Sequence, residues 1–285
     1  MKDFTDWVGK TETIEDVLDY VLVARMAATL GTKLPERTDP LPLLWHWMYF
    51  QPTLSFHSLG EDGHPSRGEF LPPAENFNRM WAGGRLKFFR PLIIGEPAKR
   101  ISTIRQINEK QGRSGKLLFV TVEHKHIQND ETALLEEQDI VYREPTKFVN
   151  IKSDPCPSGQ WSETHEADSV TLFRYSAVTF NGHRIHYDYP YVTGKEGYPA
   201  LLVQGQLLAT LALQAFKNAN PDAGISSFSF RSRRPIFCPE KFITAGQIVG
   251  SGKAELWVGN ENGVAQSSFV EFTPDNKSVP TKKIS

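Results

Sequence analysis

The chain has 285 residues, of which 39% are hydrophobic and 23% are charged, so it can bury a full core. A formal net charge of -1 and a pI near 6.7 provide no basic field for nucleic acid. No apolar run approaches the ~20 residues of a membrane span, and no secretory signal pattern opens the chain. We therefore predict a soluble protein without nucleic-acid or membrane partners, in the cytoplasm or, in a eukaryote, the mitochondrial matrix.

The chain contains two cysteines, Cys156 and Cys238, which lie in different contexts and lack C-x-x-C spacing. This pattern indicates neither a disulfide framework nor a structural zinc site. We expect two chemically inert thiols and no bound metal.

The N-terminal segment combines helix signals with a long polar stretch. Thr13–Leu30 has an N-cap residue, acids in its first turn and an apolar stripe, so we predict a helix that Gly31 ends. The aromatic segment Leu43–Phe50 suits a short buried helix. His57–Pro73 is polar and rich in Gly and Pro, which predicts a loop.

From Arg85 onward the pattern is that of β-strands. The runs Ile101–Ile107, Leu117–Ile127 and Ala133–Tyr142 are separated by turn-forming segments at Gln111–Gly115 and Gln128–Glu131. These runs predict an antiparallel meander of long strands.

A second series of elements follows a connection at Pro145–Glu166. Tyr198–Phe216 is predicted as a helix. Strand patterns follow at Phe228–Arg233, Phe242–Leu256 and Val264–Phe272, with a hairpin turn at Asn260–Gly263.

The two series share a short repeat, because Arg90–Glu96 (RPLIIGE) resembles Arg234–Glu240 (RPIFCPE). Each copy follows a predicted helix and precedes long strands, so sequence and position agree. The expected fold is α+β, a double hotdog in which each half wraps a long antiparallel sheet around a central helix. We predict an N-terminal half at residues 1–145, a linker at 146–168 and a C-terminal half at 169–285.

Reactive side chains concentrate between Phe173 and Asp188, where Asn181, His183 and His186 follow an apolar run. This segment resembles the motif of the MaoC-like hydratases, Ser-x-x-Asp-x-Asn-Pro-x-His-x-Asp. Aligned on His186, the resemblance places Asn181 at the family's catalytic aspartate and His183 at its asparagine.

The amide at Asn181 departs from the family pattern, and an amide cannot take a proton from water. Asn181 can still orient a water molecule, which leaves His186 as the expected acid and base. His183 is predicted either to orient the substrate or to structure the loop. We expect Asp188 to stabilise the loop or cap a helix.

Gly205 stands at the position of the family's helix-start glycine, whose N–H faces the thioester carbonyl. The N-terminus of a helix offers unpaired donors where an enolate oxygen develops. The alternative is that Gly205 only permits close helix packing.

Arginines provide the expected contacts to anionic groups. Arg231, Arg233 and Arg234 are predicted either as a cradle for coenzyme A phosphates or a substrate carboxylate, or as a solvated strand edge.

Within the MaoC-like and type 2 hydroxyacyl-thioester dehydratase family, the chain looks most like the itaconyl-CoA and mesaconyl-C4-CoA hydratases. The residues that carry this resemblance include Trp45–Phe50, Trp81–Gly84 and Phe180–Asp188. It implies addition of water to a branched, carboxylated enoyl-CoA, with coenzyme A as part of the substrate and no separate cofactor. We expect Arg184 and Arg90 to meet the substrate's second carboxylate.

The same resemblance implies that catalysis lies in the C-terminal half, whereas the N-terminal half, with its aromatic residues, holds the acyl group. A homodimer is possible. Three alternatives stay open: a 3-hydroxyacyl-thioester dehydratase of fatty-acid synthesis, a hotdog thioesterase and a non-catalytic acyl-binding subunit.

Overall fold

The structure of the protein is a computed structural model that describes residues 4–74, 77–112, 115–145, 148–149 and 153–274. It contains ten strands and four α-helices within these residues. The strands are β1 (Thr11–Val17), β2 (Asn78–Phe88), β3 (Pro97–Gly112), β4 (Gly115–Gln128), β5 (Glu131–Arg143), β6 (Trp161–Glu166), β7 (Gly224–Ser232), β8 (Lys241–Gly250), β9 (Lys253–Asn260) and β10 (Gly263–Thr273). The helices are α1 (Tyr20–Leu30), α2 (Ser169–Val178), α3 (Tyr189–Gly194) and α4 (Gly205–Ala219).

The ten strands form one antiparallel sheet in the order β1-β3-β4-β5-β2-β7-β10-β9-β8-β6. Each half contributes five strands, and the second half repeats the order of the first about the β2-β7 junction. That junction pairs Gly83 with Arg231 and Leu86 with Phe228. The sheet is therefore continuous across two equivalent halves.

The short sequence repeat occupies equivalent places in the two halves. The N–H of Leu41 donates to the carbonyl of Leu92 (2.7 Å), and the N–H of Val203 donates to that of Ile236 (2.9 Å). Leu92 and Ile236 are separated by the same 144 residues as the two copies, so the backbone contacts confirm the predicted repeat.

The strand predictions are largely confirmed, including the turns at Gln128–Glu131 and Asn260–Gly263. The predicted single run Phe242–Leu256 is instead two strands, β8 and β9, because the chain turns at Gly252 with φ of 69°. The segment predicted as a connection contains β6, which pairs with β8.

Two helix predictions begin too early. Thr11–Val17 is an edge strand paired with β3, and α1 begins only after Asp19, whose carboxylate caps the N–H groups of Val21 and Leu22. Gly31 ends this helix with φ of 65°, as predicted.

The helix predicted from Tyr198 begins at Gly205. The preceding residues are extended, since the N–H of Cys238 donates to the carbonyl of Leu201 (2.8 Å) and Leu202 forms a β-bridge with Phe237. Pairing with the second repeat copy therefore keeps this segment out of the helix.

Helix α4 packs on the C-terminal half of the sheet, where it contacts β6, β8, β9 and β10. Eight of its side chains are buried, including Leu207, Leu208 and Phe216. Helix α1 packs mainly on α2, and the aromatic segment contains only a short 3-10 helix, Trp45–Met48. None of the helices in the described residues combines the length and apolarity that crossing a lipid bilayer requires.

Candidate active site

A cleft of about 2280 Å3 lies between the two halves, and both halves contribute to its walls. Its lining includes the three residues predicted to be catalytic, Asn181, His186 and Gly205. His183 also lines it. The structure therefore brings the predicted catalytic segment and the start of α4 to one cavity.

His186 lies in a 3-10 helix and is buried. Its Nδ1 donates to the carbonyl oxygen of Leu202 (2.8 Å), because a carbonyl can only accept. This bond leaves Nε2 as the basic nitrogen of the neutral ring. Burial lowers the pKa of His186 to about 4, against the opposing effect of the Leu202 hydrogen bond. The imidazole is therefore unprotonated at neutral pH.

Gly205 is the first residue of α4, so its N–H has no partner within the helix. The residue before it, Gln204, is buried and donates to the carbonyl of Leu172 and to Ser176 Oγ, both at 2.9 Å. Leu202, the partner of His186, lies three residues before Gly205. The His186 imidazole and the N-terminus of α4 are thus held by one short segment.

Asn181 has a defined structural contact. Its side-chain oxygen accepts from the backbone N–H of His183 (3.0 Å), and its own N–H donates to the carbonyl of Ser176 (2.8 Å). The first bond is an Asx turn, which fixes the backbone that carries His183. Asp188 caps α3 by accepting from the N–H of Tyr191 (3.1 Å), which confirms the predicted helix cap.

A second histidine, His64, enters the site from the N-terminal half. Its ring centroid lies 4.1 Å from that of His183, which in turn lies 5.5 Å from that of His186. His64 Nδ1 contacts Asp62 Oδ2 at 3.2 Å. Burial lowers the pKa of His64 to about 4. Burial alone would raise the pKa of Asp62, but hydrogen bonding and charge from His64, together with Arg79, lower it to about 2.

The pattern of His57–Pro73 predicts only a loop, so this part of the site was not predicted from the sequence. A signal was present, since the tripeptide Asp62-Gly63-His64 resembles Asn181-Gly182-His183. The arginines Arg67, Arg79 and Arg143, which also line the cleft, were missed as well.

The aromatic residues of the N-terminal half form part of the cleft wall. Trp47 and Trp81 pack edge to face with ring centroids 5.2 Å apart, and Trp81 lies 4.7 Å from Phe230. Trp81 is also next to Gly205, where an added Cβ would lie 3.6 Å from its ring. These residues provide an apolar surface beside the helix N-terminus.

Arg184 and Arg90 lie outside the residues that line the cleft in the described structure. Arg184 Nε and Nη2 contact Asp188 Oδ2 at 2.9 and 2.7 Å, and its guanidinium stacks on Tyr191. Arg90 is paired with Glu131. Because both cations already have anionic partners, this geometry does not support the prediction that they meet a substrate carboxylate.

The arginines predicted to bind coenzyme A phosphates or a carboxylate differ in exposure, and they are Arg231, Arg233 and Arg234. Arg231 and Arg233 are exposed at the cleft, and Arg233 donates to Ser267 Oγ (3.1 Å). Arg234 is half-buried and donates to the carbonyls of Gly263 and Pro235 and to Asn260. Arg231 and Arg233 can reach a ligand, whereas the Arg234 guanidinium is occupied by the β9-β10 turn.

Among the described residues, two groups of three side chains lie close enough together to hold a cation. One comprises His46, His126 and Glu136, and the other comprises Asp62, His64 and His183. In the first, Trp47, Gln138 and His46 already satisfy both Glu136 oxygens. In the second, burial first and then the charges of Arg79 and Arg67 lower the pKa of His64, so this environment disfavours added positive charge.

The cleft between the two halves is lined by the unprotonated imidazole of His186 and by the N-terminus of α4, a combination suited to the chemistry of an acyl-thioester hydro-lyase. Residues 44–238 match the profile of the family described as hydroxyacyl-thioester dehydratase type 2. The chain belongs to this family, which confirms the predicted resemblance.

Known proteins agree with this assignment. The chain is 44% identical over 245 residues to the mesaconyl-C(4)-CoA hydratase of Chloroflexus aurantiacus, covering 82% of this chain and 85% of that protein. The crystal structure of HtdX from Mycobacterium tuberculosis matches 92% of this chain and 99% of its own, with 18% identity and a TM-score of 0.67.

A second M. tuberculosis structure, described as a double hotdog fold, matches 93% of this chain and 96% of its own. Its TM-score is 0.61 at 11% identity. The predicted double hotdog fold is confirmed.

Proposed function

We propose that the protein hydrates a branched, carboxylated enoyl-CoA, with mesaconyl-C4-CoA converted reversibly to citramalyl-CoA. The 44% identity to a mesaconyl-C(4)-CoA hydratase supports this substrate class. The observation that carries the chemistry is the hydrogen bond from His186 Nδ1 to Leu202, because it presents Nε2 as a base beside the start of α4.

In this proposal the Gly205 N–H binds the thioester oxygen, which makes Cβ electrophilic. His186 Nε2 takes a proton from water while the hydroxide oxygen bonds to Cβ and the C=C π electrons move toward the thioester oxygen. His186 then returns the proton to Cα, so atoms and charge balance. One oxyanion donor of this kind contributes about 3 kcal/mol to the transition state.

Asn181 and His183 are proposed to position the water and the substrate around this base. The Asx turn supports the role of Asn181, because it fixes the backbone that carries His183. Arg231 and Arg233 are proposed to contact coenzyme A phosphates at the open side of the cleft. Coenzyme A enters only as part of the substrate.

We further propose that the C-terminal half provides the base and oxyanion donor, while Trp47 and Trp81 of the N-terminal half hold the acyl group. His64 adds an N-terminal residue beside the base, so the two halves contribute together to the acyl end of the cleft.

A second function has its own support, because the family is named for hydroxyacyl-thioester dehydration. Such an enzyme accepts linear acyl chains that lack a second carboxylate.

The test measures enoyl-thioester absorbance after addition of protein to mesaconyl-C4-CoA, itaconyl-CoA or crotonyl-CoA, with free thiol followed in parallel. We expect fast loss of absorbance with mesaconyl-C4-CoA and no thiol release.

Preference for crotonyl-CoA would assign the protein to fatty-acyl dehydration instead. Thiol release without loss of the double bond would indicate a thioesterase. Binding without either change would indicate an acyl-binding subunit.

A further inference from the structure

The cleft contains a second group of arginines, Arg67, Arg79 and Arg143, all from the N-terminal half. They are separate in sequence from Arg231 and Arg233, which flank Ser232 beside Gly205. The described lining contains six arginines and four acidic residues, so arginine is in excess. The N-terminal group lies near the histidines, where no phosphate is expected.

Arg79 is the member of this group with an unused donor at the tip of its guanidinium. It lies on β2, and its Nη2 atom is buried without a hydrogen-bond partner in the described part of the chain. The buried Tyr142 hydroxyl, on the neighbouring strand β5, interacts with the Arg79 guanidinium and has no other hydrogen-bond partner among the described residues. A buried guanidinium N–H without an acceptor is unfavourable, and a ligand oxygen would satisfy it.

Arg67 and Arg143 surround Arg79 but are more fully engaged. Arg67 donates to the carbonyl of Ala74, lies 3.9 Å from Asp62 and stacks over the Tyr142 ring. Arg143 donates to the Tyr198 hydroxyl at 3.3 Å, and its Nε is buried without a described partner. Arg79 therefore offers a buried guanidinium N–H to a ligand in the cleft, with a second charge from Arg67.

The acids nearby do not neutralise this group completely. Asp62 interacts with His64 as well as Arg67, and Glu196 accepts from Asn78 and Tyr191. Arginine geometry matches a carboxylate, since its planar fork offers two parallel N–H donors. The three arginines therefore favour a bound anion, and they disfavour a cation at the neighbouring residues Asp62, His64 and His183.

The position of Arg79 relative to the base identifies the anion. Arg79 pairs across β2 and β5 with Tyr142, whose ring lies under Arg67, and Arg67 lies 3.9 Å from Asp62, the partner of His64. The rings of His64, His183 and His186 then follow one another. In mesaconyl-C4-CoA the free carboxylate is bonded to Cβ, the carbon that receives the water oxygen. A cation that binds this carboxylate must therefore line the same cleft as the base, and Arg79 does so through the neighbours just described.

We propose that Arg79, assisted by Arg67, binds the free carboxylate on Cβ of the enoyl-CoA and thereby selects dicarboxylic acyl groups over fatty acyl groups. This inference rests on the proposed hydratase function. It places the specificity determinant in the N-terminal half, opposite the proposed base. It also assigns to Arg79 the role that the sequence suggested for Arg184 and Arg90.

The test compares wild type with Arg79→Gln and Arg79→Lys. The substrates are mesaconyl-C4-CoA and 3-methylcrotonyl-CoA, in which a methyl group replaces the carboxylate. We expect Arg79→Gln to lower kcat/KM for mesaconyl-C4-CoA about 10- to 100-fold, as for loss of a charge-assisted hydrogen bond. Its kcat/KM for 3-methylcrotonyl-CoA should change less than about threefold, and Arg79→Lys should recover part of the selectivity.

Arg85→Gln is the matched control, because Arg85 lies on the same strand but outside the cleft lining, paired with Glu137 and Asp139. It should leave both substrates unaffected. An equal loss for both substrates in Arg79→Gln, with an unchanged Tm, would overturn the inference. If Arg79→Gln does not fold, unchanged selectivity in Arg79→Lys and in Arg67→Gln overturns it.

A binding measurement separates this inference from the hydratase proposal. Mesaconate and crotonate are titrated into wild type and Arg79→Gln, with calorimetry as the readout. Tighter binding of mesaconate that disappears in the variant supports the subsite even if no hydration occurs. Equal binding of mesaconate to both proteins contradicts the subsite, whatever the activity.

Discussion

Gly63 and Gly182 meet backbone to backbone where the N-terminal loop contacts the proposed catalytic segment. A Cβ added at Gly182 would lie 2.6 Å from the Gly63 carbonyl oxygen, and one added at Gly63 would clash with the Gly182 carbonyl. The N–H of Arg184 donates to the carbonyl of Asp62 (3.0 Å) at the same contact. This approach brings His64 against His183.

Gly63→Ala should therefore separate the two loops. We expect kcat/KM to fall by roughly 100-fold, because a displacement of about 1 Å in an active site has that effect. Strain at φ of +83° should also lower the free energy of unfolding by about 1–3 kcal/mol. Hydration assays and urea unfolding provide the two readouts.

Gly9→Ala is the control, since Gly9 has φ of +87° but no atom within 4 Å of an added Cβ. It should reproduce the backbone strain with full activity. Activity lost equally in both variants would mean that the loop contact has no specific role.

Gly205→Pro tests the oxyanion donor without breaking α4. Proline is favoured at the first position of a helix and lacks an N–H. The preceding residue, Gln204, has ψ of 131°, which suits a residue before proline. We expect kcat to fall about 100- to 1000-fold with little change in Tm.

Gly205→Ala keeps the N–H, and its added Cβ makes only ordinary contacts with Ser232 and Trp81, 3.6 Å away. It should retain most activity. An active Gly205→Pro enzyme would rule out this N–H as the donor.

The fold was largely predictable because apolar alternation and the repeat encode strands locally. Errors arose where tertiary pairing overrode local signals. Thr11–Val17 carries helix-start residues, yet β3 offers it a full ladder of backbone partners. Likewise, Tyr198–Gln204 precedes a strong helix pattern, but pairing with the second repeat copy keeps Leu201–Val203 extended.

The site was predictable only where its residues are consecutive. Asn181, His183 and His186 lie in one segment, so their density was visible. Arg79 and His64 join them through the β2-β7 junction and the Gly63 contact, which no local pattern reports. The ion pair between Arg184 and Asp188 was also not predicted. It occupies the guanidinium that the sequence assigned to the substrate carboxylate.

His186→Gln should remove the base while keeping a polar side chain of similar size. We expect kcat to fall about 100- to 10,000-fold, in line with loss of general base catalysis. His165→Gln is the control, because His165 bonds to Thr244 on β8 and lies outside the cleft lining. An active His186→Gln enzyme would exclude this base.

The pH profile of the wild type tests the same base independently. A base acts only when unprotonated, and the pKa of His186 is lowered to about 4. The kcat/KM should therefore be flat between about pH 8 and pH 5 and fall tenfold per unit below about pH 4. A midpoint near 6.5 instead would indicate a solvated imidazole.

Asn181 offers two informative substitutions. Asn181→Ala removes the acceptor for the His183 N–H, and we expect roughly a 10- to 100-fold loss of kcat as the segment relaxes. Asn181→Asp keeps that acceptor and restores the carboxylate of the family motif, so it should retain activity. Thermal unfolding checks that both variants fold. Equal activity in all three proteins would make Asn181 dispensable.

Buried neutral histidines predict that the fold weakens in acid. The pKa values of His64, His126 and His186 are each lowered to about 4, mainly by burial, whereas an unfolded histidine titrates near 6.5. As pH falls from 6.5 to 4, the histidines of the unfolded chain bind protons that the same histidines of the native protein do not bind. The free energy of unfolding should therefore decrease over that window, by at most about 1.4 kcal/mol per unit for each histidine.

Urea unfolding at pH 7.5, 6.0, 5.0 and 4.5 measures this slope. His124→Gln should make this slope shallower, because burial lowers the pKa of His124 to about 3. Glutamine can keep a hydrogen bond to Ser102 Oγ, which lies 2.9 Å from His124 Nδ1. The control is His57→Gln, on the exposed 3-10 helix of the loop, which should leave the slope unchanged. If the free energy of unfolding stays constant across these pH values, or if His124→Gln leaves its slope unchanged, the proposed role of the buried histidines is wrong. Carboxyl groups, which titrate below this window, would then control stability in acid.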